Sequence, residues 1–427
     1  MRPAGLRNRY RRLRARGIAL ACGVGATVGA VAGGVVPVLP AGAANNDALG
    51  APHPAKDSAV TVVVITDAGA HVRGTGPLVA QGAKAGVDYL NEYKDGLAGH
   101  KIALSVCENQ ETPAGGQACG SDAVHKHAVA VIVPFTGQGA TEVPPIVQAG
   151  IPFITLTGSS TAELATPGAF SIEGGLASDL GVVALHAKQH GYKKVIFLVA
   201  DQAAAVQGAQ VLGQLVFQNA GVGFQVIPAK PGTTGMLPEL RAAIADGASA
   251  VGLLGDQSLC SSFLQAYKKA GTHLPRYLLA TCQDPSILHS PSLDGVFKGS
   301  YLVGAMPGWG TGKAAALYSG IVSRFMPQVN RNPSASANEA AGVTALLTLS
   351  SLMSGSGGSP LTAASVLHRA QTAQGVAIPF SGGQTFTCNG KAIARLPSVC
   401  SSSAAVGVVG SGYSVKEPTI LDPGSLF

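Results

Sequence analysis

Residues 128–164 alternate between short apolar runs and polar turns, and this pattern predicts a strand, a helix and a second strand. Ala128–Phe135 is rich in Val and Ile and has the length of a buried strand. Thr141–Ala149 is predicted to form a helix, since its two prolines lie near the start, where a missing backbone N–H costs least. Ile151–Leu156 is predicted to be the next strand.

Polar loops follow both of these strands. Thr136 and Gly137 come directly after the first strand, and Ser159 and Ser160 belong to the hydroxyl-rich loop after the second. In open α/β sheets, ligands sit outside the carboxyl ends of the strands, near a change in strand order. The two loops are therefore predicted to form half of a ligand cleft.

The same alternation of strands and helices extends over most of the chain. Val60–Ile65 and Lys101–Val106 are predicted strands before this stretch, and the alternation restarts at the strand Lys194–Ala200. It continues to Tyr301–Ala305, after which come predicted helices and, from Ala377, short β segments. The pattern predicts two α/β units in tandem, each with a parallel sheet and right-handed crossovers.

The net charge of +7 in 427 residues does not indicate nucleic-acid binding. Seven arginines lie in the first 16 residues, which leaves 22 basic residues against 22 acidic residues in the rest of the chain. No excess of positive charge remains to attract phosphates. Nucleic acid is therefore excluded as a partner.

The basic start leads into a glycine-rich apolar run at residues 17–39 and then into Ala41–Ala44. This succession predicts a secretory signal peptide at residues 1–43, followed by a linker at 44–58. The protein is expected to be extracytoplasmic, at the cell surface or in the periplasm. A membrane anchor and lipidation at Cys22 are alternatives, because the apolar run approaches spanning length and Cys22 follows a weak lipoprotein box.

Six cysteines remain beyond Cys22, and they fall into three separated pairs of neighbours. These are Cys107 and Cys119, Cys260 and Cys282, and Cys388 and Cys400. Six cysteines allow 15 pairings, and local pairing is the simplest of them. We predict three disulfides in an oxidising compartment, with free buried thiols in one or more pairs as the alternative. The spacings lack C-x-x-C, so zinc and redox sites are not expected.

Four motifs together carry a resemblance to a known family: Gly82–Asn91, Gly96–Ile102, Gly191–Val195 and Pro231–Thr234. In their order and spacing they resemble the type 1 periplasmic-binding-protein fold, in the branched-chain amino-acid-binding branch of the ABC-importer solute receptors. The similarity covers most of residues 59–375.

The resemblance implies an α/β protein of two Rossmann-like lobes with parallel sheets, joined by a three-strand hinge. Residues 59–170 and 305–375 would form lobe 1. Residues 171–304 and 376–427 would form lobe 2 and a C-terminal β tail. The lobe boundary would lie near Phe170–Gly174, with return crossings near Gly304 and Gln374. The implied protein is a monomer that binds a small polar ligand (an amino acid, amide or carboxylate) and presents it to permease subunits in the membrane.

The resemblance also implies ligand contacts. Thr136, Gly137, Ser159 and Ser160 match the family's loops that hold the ligand's carboxylate through N–H and hydroxyl donors, and helix N-termini there favour anions. Capping of turns and helices is the alternative role of these hydroxyls. Asp256 is a candidate partner for a ligand ammonium, because the family's usual acid and aromatic are missing from the second lobe. A solvated Asp at the end of a strand is the alternative for it.

Arg73, in the first turn, is a candidate contact for an anionic ligand, and solvent exposure is the alternative for it.

An enzyme is the main competing class. The dinucleotide fingerprint fails because Val79 stands in place of its last glycine, and no nucleophile elbow is present. His186 and His190 are spaced for a metal, but the acid of the usual motif is missing between them, which favours a surface helix face. We therefore expect no catalytic residue, metal or cofactor. A ligand sensor of the same fold that signals through a partner remains open.

Overall fold

The structure is a computed structural model of the chain. It describes residues 46–68, 75–201, 203–230, 235–255, 257–283, 287, 290–293, 295–304, 312–327, 337–356, 360–411, 415 and 418–427. The predicted signal peptide (1–43) and the candidate residues Arg73 and Asp256 lie outside these ranges. No helix in the described part combines the length and the hydropathy that crossing a membrane requires.

The first sheet has five parallel strands in the order β2-β1-β3-β4-β5. They are β1 (Asp57–Thr66), β2 (His100–Glu108), β3 (Ala130–Val133), β4 (Phe153–Thr157) and β5 (Ala169–Glu173). The inner strands β3 and β4 are buried along nearly their whole length, as expected for a parallel sheet covered on both faces.

The second sheet has seven strands in the order β14-β13-β10-β9-β8-β6-β7. They are β6 (Lys194–Ala200), β7 (Gly223–Ala229), β8 (Ala250–Leu254), β9 (Arg276–Leu279), β10 (Tyr301–Val303), β13 (Ala404–Val408) and β14 (Thr419–Leu421). Strands β6 to β10 are parallel, and the tail adds β13 and β14 antiparallel at one edge. The sheet is thus mostly rather than wholly parallel. A small hairpin of β11 (Val376–Ala377) and β12 (Thr385–Phe386) stands apart.

Helices cover both faces of each sheet, which confirms the predicted α/β architecture. They are α1 (Asn46–Leu49), α2 (Thr75–Tyr93), α3 (Pro113–His125), α4 (Gly139–Gln148), α5 (Thr161–Ala165), α6 (Gly175–Gln189), α7 (Ala203–Ala220), α8 (Leu237–Ala245), α9 (Gln257–Ala270), α10 (Lys313–Phe325), α11 (Ala337–Leu352) and α12 (Ala363–Gln371). The first core includes buried residues of α2, α10, α11 and α12. The cores of the second sheet lie against α8 and α9 on one face and α6 and α7 on the other.

Two segments near the predicted domain boundaries contribute side chains to the first core. Ile378 and Phe386 are buried in the first core, although residues from 376 onward were expected in lobe 2. Ile393 and Val399 pack with Ala177 of α6, so the segment that precedes β13 contacts elements of both sheets. The crossing near Gln374 stays a prediction. Leu49 is also buried in the first core, so the predicted linker at 44–58 contains a packed helical turn. In both segments, a few apolar side chains within a polar stretch are buried in the first core, although the local sequence pattern does not predict their burial.

Helices α2 and α11 approach each other closely because both carry a glycine at the crossing. A Cβ on Gly82 would lie 1.8 Å from the carbonyl oxygen of Glu339, and one on Gly342 would lie 2.2 Å from that of Val79. No side chain fits at either position without separating the two helix backbones.

The structure contains all three predicted disulfides. Cys107–Cys119 joins β2 to α3, and Cys260–Cys282 joins α9 to the segment after β9. The third bridge, Cys388–Cys400, closes the segment that precedes β13. Each bridge links cysteines that are consecutive in the chain, at separations of 12, 22 and 12 residues.

Removal of the third bridge is expected to lower stability. Closing a loop of this length contributes about 3 kcal/mol by limiting the unfolded chain. The double variant Cys388→Ala/Cys400→Ala should therefore melt at a lower temperature than the native protein in a thermal scan. Reductant should lower the melting temperature of the native protein further than that of the variant. Equal effects of reductant on both proteins would contradict a stabilising role for this bridge.

Candidate ligand-binding site

A cavity of about 240 Å³ lies between the two sheets, at the carboxyl ends of their strands. Pro134 and Phe135 after β3, and Leu156 and Thr157 at the end of β4, line it from the first sheet. The second sheet contributes the ends of β9 and β10, and α11 contributes one further wall. This is the position at which open α/β sheets hold ligands.

The cavity walls combine an apolar surface with a few polar groups. The polar lining residues described are Glu173, Asp179, Asn338 and the threonines at 157, 281 and 344. Apolar surface comes mainly from Phe135, Leu156, Leu279 and Val303. The volume equals that of about eight waters at ~30 Å³ each. Such a cavity suits a small molecule with an apolar body and a polar end.

A second, larger groove of about 690 Å³ lies on the surface between α7 and β7. Gln210, Gln214 and Gln218 line it together with the exposed Val211 and Leu215. It is open to solvent and lies at the edge strand β7, beside residues 224–226 near the start of that strand. We therefore assign the ligand site to the cavity between the sheets.

Glu173 reaches the cavity because it lies at the very end of β5, beside Thr157 at the end of β4. The chain turns directly from β5 into α6 through Gly174 and Gly175. Gly175 has a φ of +54°, and a Cβ there would lie 2.9 Å from the carbonyl oxygen of Gly158. A glycine is needed at this turn, which places Asp179, one turn into α6, at the same cavity.

The two carboxyl groups influence each other. Burial and, to a lesser extent, the neighbouring Asp179 together raise the pKa of Glu173 to about 8. Burial likewise raises the pKa of Asp179 to about 7. Without a ligand, the pair therefore retains protons near neutral pH, and a bound positive charge would favour its ionised form.

The predicted donors Thr136 and Gly137 lie beside this cavity and have partners within the protein. Gly137 donates its N–H to Oδ2 of Asp67 at 2.8 Å. The Thr136 hydroxyl lies 3.0 Å from both Oδ1 of Asp67 and Oε1 of Glu142. Their assignment to the ligand stays a prediction, since both donors are engaged here by carboxylates of the chain.

Ser159 and Ser160 are engaged in a similar way by Glu163. Ser160 is the N-cap of α5 in a capping box, and its N–H donates to Oε2 of Glu163 at 2.9 Å. Ser159 donates its hydroxyl to the carbonyl oxygen of Thr136 at 2.9 Å, which joins the two predicted loops. The structure brings the four predicted residues together, and Ser160 has the capping role that was the alternative to ligand binding.

This loop cluster is rich in acid. Burial raises the pKa of Glu142 to about 7, against hydrogen bonds from Asn109 and Thr136 that lower it. The charges of Asp67 and Glu163 raise the pKa of Glu142 as well. Burial also raises the pKa of Glu163. An anionic ligand would enter a region that already contains several carboxyl groups.

A comparison with known families decides the classification. The sequence matches the family described as "Periplasmic binding protein" over residues 59–399. The chain belongs to this family. The proteins of the family bind solutes outside the cytoplasm and are not enzymes, which agrees with the predicted branch and excludes the enzyme alternative.

Solved periplasmic binding proteins have the same fold. The ABC transporter substrate-binding protein from Sphaerobacter thermophilus is 16% identical, with a TM-score of 0.70 over 86% of this chain and 99% of its own. LivJ from Streptococcus pneumoniae, in complex with isoleucine, is 14% identical, with a TM-score of 0.64 over 86% of this chain and 100% of its own. A solute-binding protein from R. palustris, in complex with 4-hydroxybenzoate, is 15% identical, with a TM-score of 0.65 over 86% of this chain and 98% of its own. No curated protein sequence matches the chain.

The histidine pair of this periplasmic binding protein is structural. The prediction of a surface helix face is wrong for His186, which is buried and 2.8 Å from the hydroxyl of Tyr277 through Nδ1. Burial and the nearby His190 lower the pKa of His186 to about 4. The ring stacks on His190 at a centroid distance of 4.0 Å. Among the described residues, no group of three or more potential ligands could hold a metal ion.

Proposed function

We propose that the protein is the extracytoplasmic solute-binding component of an ABC importer, which captures a small polar ligand by closing its two lobes. The observation that supports this is the cavity itself, because the strand ends of both sheets line it. A ligand held there contacts both lobes and stabilises the closed state over the open one. A ligand with equal affinity for both states would not close the lobes.

The ligand is proposed to be an amino acid, an amide or a carboxylate. The structural relatives include an isoleucine complex and a 4-hydroxybenzoate complex, which are small ligands with an apolar body and a polar end. The lining of this cavity has the same two features. Thr136, Gly137, Ser159 and Ser160 remain proposed ligand contacts from lobe 1, and Arg73 and Asp256 remain proposed contacts as well.

Permease subunits in the membrane are the proposed partners of the closed, monomeric protein. The signal peptide at 1–43 is proposed to export it. Neighbouring genes provide the discriminating observation: permease and ATPase genes beside this one would support import. A kinase or regulator gene in their place would support a sensor of the same fold.

Filling the cavity is expected to abolish ligand binding. Ala341 of α11 lines the cavity, and a leucine there would occupy ligand space without introducing charge. Ala341→Leu should lose the rise in melting temperature that a ligand from a metabolite screen gives to the native protein. We expect at least a tenfold loss of affinity by calorimetry, which is about 1.4 kcal/mol.

The matched control is Ala316→Leu, on the exposed face of α10. It makes the same chemical change in a helix but away from the cavity, so its affinity should equal that of the native protein. Native affinity in Ala341→Leu would show that the ligand binds elsewhere. Failure of the native protein to respond to any metabolite would contradict the proposed function.

A further inference from the structure

We infer, building on the proposed function, that the cavity selects ligands that carry a cationic nitrogen, held between the carboxylates of Glu173 and Asp179. An amidinium or an ammonium group attached to a small apolar body is the chemical class that fits. The two acids flank the first turn of α6, on the wall where the chain crosses between the sheets.

Two buried polar atoms at this cavity lack partners. Glu173 is 9% exposed, and its Oε1 accepts no hydrogen bond. Thr344, which lines the cavity from α11, is 4% exposed, and its Oγ1 is also without a partner. Buried polar groups are nearly always hydrogen-bonded, so two unpaired atoms around one cavity point to a ligand that hydrogen-bonds to them.

The charge of the lining residues indicates the sign of the ligand's charge. None of the described lining residues is Lys, Arg or His, whereas two are acids. The N–H donors at the adjacent strand ends of lobe 1 are already paired with Asp67 and Glu163. A carboxylate ligand would be repelled by Glu173 and Asp179 in their ionised form. A cation would pair with both.

A metal ion fits the site less well than an organic cation. Calcium takes six to eight oxygen ligands and magnesium requires a near-ideal octahedron, while the cavity offers two carboxylates. The remaining walls are largely apolar, with Phe135, Leu156 and Leu279 among them. Such walls suit the hydrocarbon part of an organic cation.

The test uses two series of compounds matched in shape. One is benzamidine, benzamide and benzoate, and the other is isobutylamine, isobutyramide and isobutyrate. Each series contains a cation, a neutral amide and an anion on the same apolar body. Calorimetry and thermal shift of the full mature protein at about pH 9 measure binding of each compound, since both acids are then largely ionised. We expect a cation to bind at least about tenfold more tightly than its amide, and its carboxylate not to bind.

Substitutions of the two acids test whether they bind the cation. Glu173→Gln and Asp179→Asn should each weaken binding of the cation at least about tenfold. Asp122→Asn, which removes a partly exposed acid on α3 that pairs with Lys126 at 2.6 Å, should leave the affinity unchanged. Unchanged affinity in both cavity variants would overturn the assignment of these two acids.

The other outcomes separate this inference from the proposed function. If a carboxylate or an amide binds as tightly as the cation and closes the lobes in small-angle scattering, the cation class is wrong and the proposed function stands. Binding of calcium or magnesium with no binding of benzamidine or isobutylamine would also overturn the cation class. If no compound of the two series and no metabolite of a broad screen binds, both are wrong.

Discussion

Replacing Gly82 by valine is expected to prevent the first lobe from folding. A Cβ at this position would lie 1.8 Å from the carbonyl oxygen of Glu339, which is a backbone atom of α11 and cannot rotate away. The two helices would have to separate across a contact that contributes much of the first core. We expect a loss above about 4 kcal/mol, at the upper end for single substitutions. The protein should be recovered in aggregates, or melt far below the native protein in circular dichroism.

Gly208→Ala is the matched control for this prediction. Gly208 lies in α7, where the nearest atom to an added Cβ is Cδ2 of Leu176 at 3.9 Å. Because alanine is the better helix former, this substitution should stabilise the protein by up to about 1 kcal/mol. A Gly82→Val protein with native melting behaviour would show that the helices do not pack as closely as described.

Raising the pH from about 5 to about 8 is expected to destabilise the ligand-free protein. In the folded state, burial and the neighbouring Asp179 raise the pKa of Glu173 to about 8, from the usual value of 4.5 for an exposed glutamate. Between these two values the unfolded chain loses its proton and the folded protein keeps it, so unfolding becomes easier as the pH rises. The loss is about 1.4 kcal/mol per pH unit for one such group. Asp179 and Glu142, with pKa values raised to about 7, act in the same direction.

Glu173→Gln tests the contribution of one of these groups. The amide cannot ionise, so the variant should melt close to the native protein at about pH 5 and several degrees above it at about pH 8. Glu92→Gln, which changes an exposed acid paired with Arg324 at 3.0 Å, should show little difference at either pH. A constant offset between Glu173→Gln and the native protein over this range would mean that Glu173 is ionised in both states.

Helices and strands with a clear apolar pattern can be predicted from the sequence of this chain. The strand β5 is an element that the sequence does not predict. The strand β6 occupies the predicted residues Lys194–Ala200, because a continuous apolar run of this length indicates a buried strand. In Ala169–Glu173, a serine and a glutamate interrupt a run of five residues, so the pattern does not indicate a strand. The strand forms because pairing with β4 and with the segment around Ser398 satisfies its backbone. Tertiary contacts of this kind leave no local signal.

The acids at the cavity were missed for a related reason. An acid in a short polar run indicates solvent exposure, and nothing around Glu173 in the sequence shows that it is buried. The predicted lobe boundary near Phe170–Gly174 contained it, and an acid at an expected crossing is the signal that could have found it. The sequence predicted correctly that the candidate donors after the two parallel strands lie close together. It did not show that their partners are Asp67, Glu142 and Glu163.

The local pairing of the cysteines has a consequence for oxidative folding during export. Each bridge joins a cysteine to the next one along the chain, across at most 22 residues. A cysteine that emerges from a translocation pore would therefore meet its correct partner before any other arrives. Pairing in order of emergence yields the native set, although 15 combinations exist. We expect refolding from the reduced state to need an oxidant but little help from a disulfide isomerase.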